Sequence, residues 1–128
     1  MAEEAIGKTP KGVMYDRGED ILFFASGKAS NGTIEIGDFV IDIDKNGNLA
    51  AIEIFNASKI FKVSKKLLTM ITSAKLRIHS TPNAMYLGVI ILSADGKMEF
   101  PHISLLPHAA RREPMVTSPW TEYRPIAV

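Results

Sequence analysis

The sequence predicts an α+β fold, mostly antiparallel β hairpins and meander, with one helical segment at about 57–72 and an extended C-terminal arm. Three observations carry this expectation. Runs of β-branched and aromatic residues alternate between apolar and polar, most clearly over residues 38–44 and 49–55. Asn46-Gly47 and Asp95-Gly96 each separate two such runs, and these dipeptides favour tight hairpin turns. One stretch alone, with Ile60, Val63, Leu67, Met70, Ile71 and Ala74, carries its apolar residues at helical spacing.

Taken in order, residues 13–17 and 21–25 are short β-prone runs joined by Gly18-Glu19-Asp20, which suits a tight turn. Residues 26–37 are small and Gly-rich and read as a loop with a brief strand at 33–36. With Asn46 and Gly47 in the two turn positions, the next hairpin pairs residues whose numbers sum to 93. One face then carries Phe39, Ile41, Ile43, Ala50, Ile52 and Ile54, while the other holds the acids. A slip of one residue would scramble that segregation, so turn chemistry and burial select the same register. Asn56 is placed to cap the helix, which either runs through or breaks in two near Ser64, itself a suitable cap.

Residues 74–81 alternate again, with Leu76 and Ile78 opposed by Lys75, Arg77 and His79, and read as a half-exposed strand. The second hairpin, residues 85–93 and 97–105, differs. Its first strand is apolar on both faces, Met85, Leu87, Val89 and Ile91 on one and Tyr86, Ile90 and Leu92 on the other, so both faces must be covered. Pro101 lacks an N–H and places its strand at a sheet edge. Residues 1–106 thus form one β-rich domain, large enough to bury about two-thirds of its unfolded surface without metal or disulfide. Residues 107–128, with four prolines and no periodicity, form the arm.

Composition removes whole chemistries. There is no Cys, hence no disulfide, thiolate metal site or thiol nucleophile. Absence of Gln as well leans toward a thermophilic source, while the labile Asn31-Gly32 and Asn46-Gly47 pairs lean the other way. The N-terminus carries Glu3 and Glu4 where a signal peptide needs positive charge, and no apolar run approaches a membrane span, so a soluble cytoplasmic protein is expected. The net charge of +1 hides a partition: residues 1–53 hold ten acids and five bases, and residues 54–94 hold six bases and no acid. An anionic partner would explain this, but for one small domain two halves that attract each other are the favoured reading.

Tyr15, Asp16, Asp20, Leu22, Phe23 and Phe24, then Asp44, Gly47, Leu49, Ile52, Glu53, Ile54, Phe55, Ala57 and Ser58, follow a recognisable pattern. Over residues 15–60 the chain resembles a prokaryotic family, domain of unknown function twenty-two eighty-three. The resemblance implies no activity or catalytic residue. Its members are often suggested to be halves of two-gene, toxin–antitoxin-like pairs, which implies protein binding. The loop at 26–37 is longer than the family's, and residues beyond about 62 lie outside its pattern.

Five sets of residues are weighed as sites. Asp42 to Glu53 satisfies the EF-hand calcium-loop spacing, but both flanks have strand periodicity, leaving at most a weak cation site at Asp42, Asp44 and Glu53. Asp16, Asp20 and Glu53 could be imagined as an acid/base set, yet turn and strand-end roles account for all three. His79, His102 and His108 lack ligand spacing. No phosphate-binding glycine loop or nucleophile elbow occurs, so no enzyme and no cofactor are expected. Lys59, Lys62 and Lys66 on the helix, with Arg77 beyond it, form a basic stripe able to hold nucleic-acid phosphates. Finally, Tyr86, Ile90 and Leu92 on the two-faced strand, with Trp120, Tyr123 and Arg124 of the arm, supply the residue types of an interface. The expected function is therefore a non-enzymatic interaction module forming a homodimer, with nucleic-acid binding through the lysines as the alternative.

Overall fold

The computed structural model describes residues 10–81, 84–105 and 118–126. Among these residues nine strands form two antiparallel sheets: β1 (Lys11–Asp16), β2 (Ile21–Ser26), β3 (Gly32–Ile36), β4 (Phe39–Ile43), β5 (Leu49–Phe55), β6 (Ile71–Thr81), β7 (Ala84–Ser93), β8 (Gly96–Leu105) and β9 (Ser118–Tyr123). The first sheet has the order β1-β2-β5-β4-β3 and the second β9-β6-β7-β8. Between them lie two short helices, α1 (Ala57–Phe61) and α2 (Lys65–Leu68). Mostly antiparallel strands are as the sequence predicts; the helical share is smaller, so the fold is β-rich rather than evenly α+β.

The β4–β5 hairpin has the expected register at Phe39↔Ile54, Val40↔Glu53, Ile41↔Ile52 and Asp42↔Ala51. Nearer the turn it departs. A bulge shifts the pairing to Ile43↔Leu49, which turns Leu49 into the core. The turn is not the two-residue type expected, because Asn46 does not have the positive φ that type requires. Instead the Asp44 carbonyl accepts the Gly47 N–H at 3.0 Å, and Gly47 alone adopts a left-handed φ of 82°. The Asp44 carboxylate, accepting the N–H groups of Asn46 at 2.8 Å and Asn48 at 2.9 Å, holds this wider turn.

Of the two readings of the helical segment at 57–72, the broken one holds, with two short helices meeting near Ser64. Lys62 closes α1 in the left-handed conformation, and the Ser64 hydroxyl accepts the Leu67 N–H at 3.1 Å to start α2. From Ile71 the chain is already strand, so Ile71 and Ala74 owe their spacing to β6, not to a helix. The helices still bury Ala57, Phe61 and Leu68, with the Phe61 ring 4.8 Å from that of Phe100 in β8. The β7–β8 turn centres on Ala94-Asp95, one residue earlier than Asp95-Gly96, since Ser93 pairs with Gly96. Pro101 lies at a register shift in β8, an edge strand of its sheet, where its missing donor costs no ladder bond.

The described end of the arm is extended and docks on the domain's own sheets. Residues 106–117 lie outside the described part, but from Ser118 the chain forms β9, pairing antiparallel with β6. It then crosses to the first sheet: the Arg124 carbonyl accepts the Val13 N–H at 2.9 Å, and the Ile126 N–H donates to the Val13 carbonyl at 3.0 Å. One segment thereby stitches an edge of each sheet together. Gly12, at φ 135°, makes the crossing possible, because a Cβ there would lie 2.3 Å from the Arg124 carbonyl. The inner faces of both sheets share one core, with Phe24 and Tyr123 edge-to-face at 5.2 Å across it.

Candidate interaction face and the capped turn

Strand alternation sorts the sequence-predicted interface residues. On β7, Met85, Leu87, Val89 and Ile91 face the core, which leaves Tyr86, Ile90 and Leu92 half-buried on the outer face of the second sheet. Trp120 joins them from β9, 39% exposed. Its ring lies over Gly88, where a Cβ would be 2.7 Å from the indole, and the Arg77 guanidinium stands 5.6 Å from the ring centroid. Tyr86 stacks on His102 of β8 at 4.2 Å. Tyr123 is elsewhere: it is buried in the core, where desolvation raises its phenol above the ordinary value, so it cannot meet a partner. Arg124 follows it, exposed, 3.6 Å from Glu122 and with its backbone tied to β1.

The basic stripe is divided. Lys59 lies on α1, Lys62 at its cap and Lys66 on α2, all exposed, whereas Arg77 is on β6 against Trp120. The charged halves of the sequence are not joined by direct ion pairs among the described residues. Lys28–Asp44, Lys97–Glu99 and Arg124–Glu122 are each local, and only a longer-range attraction of Lys65 for Asp20 crosses the halves.

The cation candidates are occupied by structure. Asp42 accepts the Thr33 hydroxyl at 2.8 Å, Asp44 caps the turn, and Glu53 sits across from Val40 on the neighbouring strand. Two backbone N–H groups, foremost that of Asn48, hold the Asp44 carboxyl below its usual range despite burial. His79 is exposed, and His108 lies outside the described residues.

Asp20 gathers the residues that carry the family resemblance. It sits in the β1–β2 turn at φ 57°, 6% exposed. Its carboxylate accepts the Ser58 N–H at 3.0 Å, the Ser58 hydroxyl at 2.7 Å and the Tyr15 hydroxyl at 2.7 Å, and its carbonyl accepts the Ala57 N–H at 3.0 Å. This carboxylate caps α1. Asn56, expected to do so, is itself left-handed with no side-chain cap bond, and its amide reaches Asp38 at 3.2 Å instead. Burial alone would raise the Asp20 pKa, but bonds from Tyr15 and Ser58 outweigh it and hold the carboxyl below the usual range. Burial and the same carboxylate push the Tyr15 phenol far up. An acid fully occupied as an acceptor of three bonds is a structural cap, and Asp16 only bonds the Glu19 N–H at 3.0 Å in the same turn. Nothing in the sequence spacing announced this link, because Asp20 and Ser58 belong to different elements.

A cleft of about 680 Å³, which the sequence did not signal, opens where β9 passes the ends of β1 and β2, between Lys11, Lys28, Asn48, Pro119 and Arg124.

Comparison with known proteins agrees with the resemblance. Residues 13–58 match the family described as protein of unknown function (DUF2283). An uncharacterized protein of Methanocaldococcus jannaschii is 42% identical over 52 residues, covering 40% of this chain and 45% of the relative. The matched stretch thus spans less than half of either protein. No solved structure matches the chain. The family-like portion is a definite piece of the fold: β1 through β5 and the capped start of α1, the whole described first sheet. The second sheet, with its outer face, lies beyond it.

Proposed function

We infer that the chain is a non-enzymatic interaction module whose first act is to pair with a second copy of itself through the outer face of the second sheet. The observation that supports this reading is the placement of Tyr86, Ile90, Leu92 and Trp120 together on one face of a sheet whose other face is already core. Half-exposed aromatic and aliphatic residues around a tryptophan and an arginine are the composition of interface centres. At the β8 edge, Pro101 and the register shift oppose strand addition. Size-exclusion chromatography with light scattering tests the reading: a dimer at micromolar concentration is expected, and a clean monomer removes it.

A second reading, nucleic-acid binding, draws support from the exposure of Lys59, Lys62 and Lys66 around the α1–α2 junction. Such contacts weaken steeply with salt. Titration of duplex DNA and RNA at low salt decides it, and no binding there ends the idea.

A further inference from the structure

We propose that the two copies meet about a two-fold axis parallel to β7, with Lys75 of each copy opposite Glu99 of the other. The proposal rests on the self-association reading and adds its geometry. On the outer face, Glu122, Lys75, Ile90 and Glu99 form one row across the sheet, because Glu122 pairs with Lys75, Lys75 with Ile90, and Ile90 with Glu99. The next outward row places Ser73, Leu92 and Lys97 together, and a third places His79, Tyr86 and Ser104 together. In the Lys75 row charge is therefore ordered across the strands, with a cation on β6, an apolar centre on β7 and an anion on β8, while Arg77 of β6 and Lys97 of β8 add cations in the neighbouring rows.

That order distinguishes an axis along β7 from a two-fold axis across the strands through Ile90. A two-fold axis across the strands through Ile90 superposes each strand on its own counterpart, so Lys75 faces Lys75 and Glu99 faces Glu99. Like charges held directly opposite destabilise. An axis along β7 exchanges β6 for β8, so Lys75 faces Glu99 twice, Ile90 faces Ile90, and Lys97 faces the uncharged Ser73. Sheets stacked face to face lie about 10 Å apart, a gap that a lysine and a glutamate reaching toward each other span. The axis also brings the two Trp120 rings to either side of Gly88, giving an isologous contact with an aromatic centre. Glu99 is free to take part. Its Lys97 neighbour, at 2.8 Å, is an exposed pair on the same strand, and such pairs hold little. Four strands of this length present roughly 600 Å² per copy, below the ~800 Å² of a standard interface and in the size class of weaker, transient contacts.

Charge reversal of the full chain, read by sedimentation velocity from 1 to 100 µM (about two decades around the expected dissociation constant), tests the arrangement. Lys75→Glu and Glu99→Lys each weaken the dimer by about 10-fold or more, the double variant K75E/E99K restores it, and K66E on α2, off this face and with the same change in net charge as K75E, leaves it unaltered. All three positions are exposed, so circular dichroism should show each variant folded. If the wild type dimerises but K75E and K66E behave alike, or the double variant fails to recover, the axis is wrong while self-association stands. A wild-type monomer throughout the range overturns both.

Discussion

The carboxylate of Asp20 accepts the backbone N–H and the hydroxyl of Ser58, at 3.0 and 2.7 Å, and so a turn early in the chain caps a helix formed after four further strands. Tyr15 completes the arrangement from β1. The three residues fix the first sheet against the start of α1, and the segment that matches the family ends at Ser58.

Asp20→Ala should therefore cost stability out of proportion to its place in a turn. It leaves the Ser58 donors and the Tyr15 hydroxyl without their acceptor, a loss of about 3 kcal/mol for buried, charge-assisted bonds. Tyr15→Phe removes a single bond and should cost about 1 kcal/mol. Urea denaturation measures both, and equal losses would contradict the central role given to Asp20.

Acid sensitivity follows from the same carboxylate. Asp20 and Asp44 both titrate below the ordinary value in the folded chain. A depressed folded pKa contributes stability that is complete above the unfolded value, about 3.9, and is lost as pH falls through the folded value. Stability should decline below about pH 4. In Asp20→Asn that decline should be shallower, from a lower starting point. Denaturation midpoints at pH 6 and pH 3, chosen to bracket that range, give the comparison.

Two glycines should respond differently to one methyl group. Gly12→Ala drives a Cβ to 2.3 Å from the backbone carbonyl of Arg124 at a φ of 135°, where neither party can yield. It should cost 2 kcal/mol or more (roughly, by the strain of such a conformation) and expose residues 118–126 to proteolysis. Gly88→Ala meets the far edge of the Trp120 ring at 2.7 Å, a group that can swing away. It should cost less and shift the emission of Trp120, the protein's single tryptophan, to the red.

Calcium should have no effect on thermal stability at millimolar concentration. Asp42 and Asp44 already accept bonds from Thr33, Asn46 and Asn48, and Glu53 lies on the neighbouring strand. A rise in the unfolding temperature with added calcium would show that the loop can rearrange around a cation.

Much of the first sheet was legible because two local signals agreed. Alternation and the Asn46-Gly47 pair placed four rungs of the β4–β5 ladder correctly. The bulge at Ile43 was not legible, since it depends on the Asp44 carboxylate choosing backbone donors over solvent. Helical spacing misled at Ile71 and Ala74, where an apolar residue every third or fourth position also fits a strand with an irregular first rung. The Asp20 cap and the docking of β9 were hidden for a common reason: both join residues far apart in sequence, which periodicity cannot relate. Of the six residues first assigned to the interface, Tyr86, Ile90 and Leu92 share a face because the alternation of β7 was read correctly. Trp120 joins them from the arm, which was not read as a strand, and Tyr123 beside it on that strand turns into the core.

The bridge between Val13 and Pro125 has a consequence for biosynthesis. A nascent chain emerging from the ribosome can complete the hairpins of its first sheet early. It cannot seal the edge at Val13, or set Tyr123 against Phe24, until nearly all of the described chain has been made. Contacts spanning so much sequence slow the final closure, and until then the β1 edge at Val13 is left unpaired.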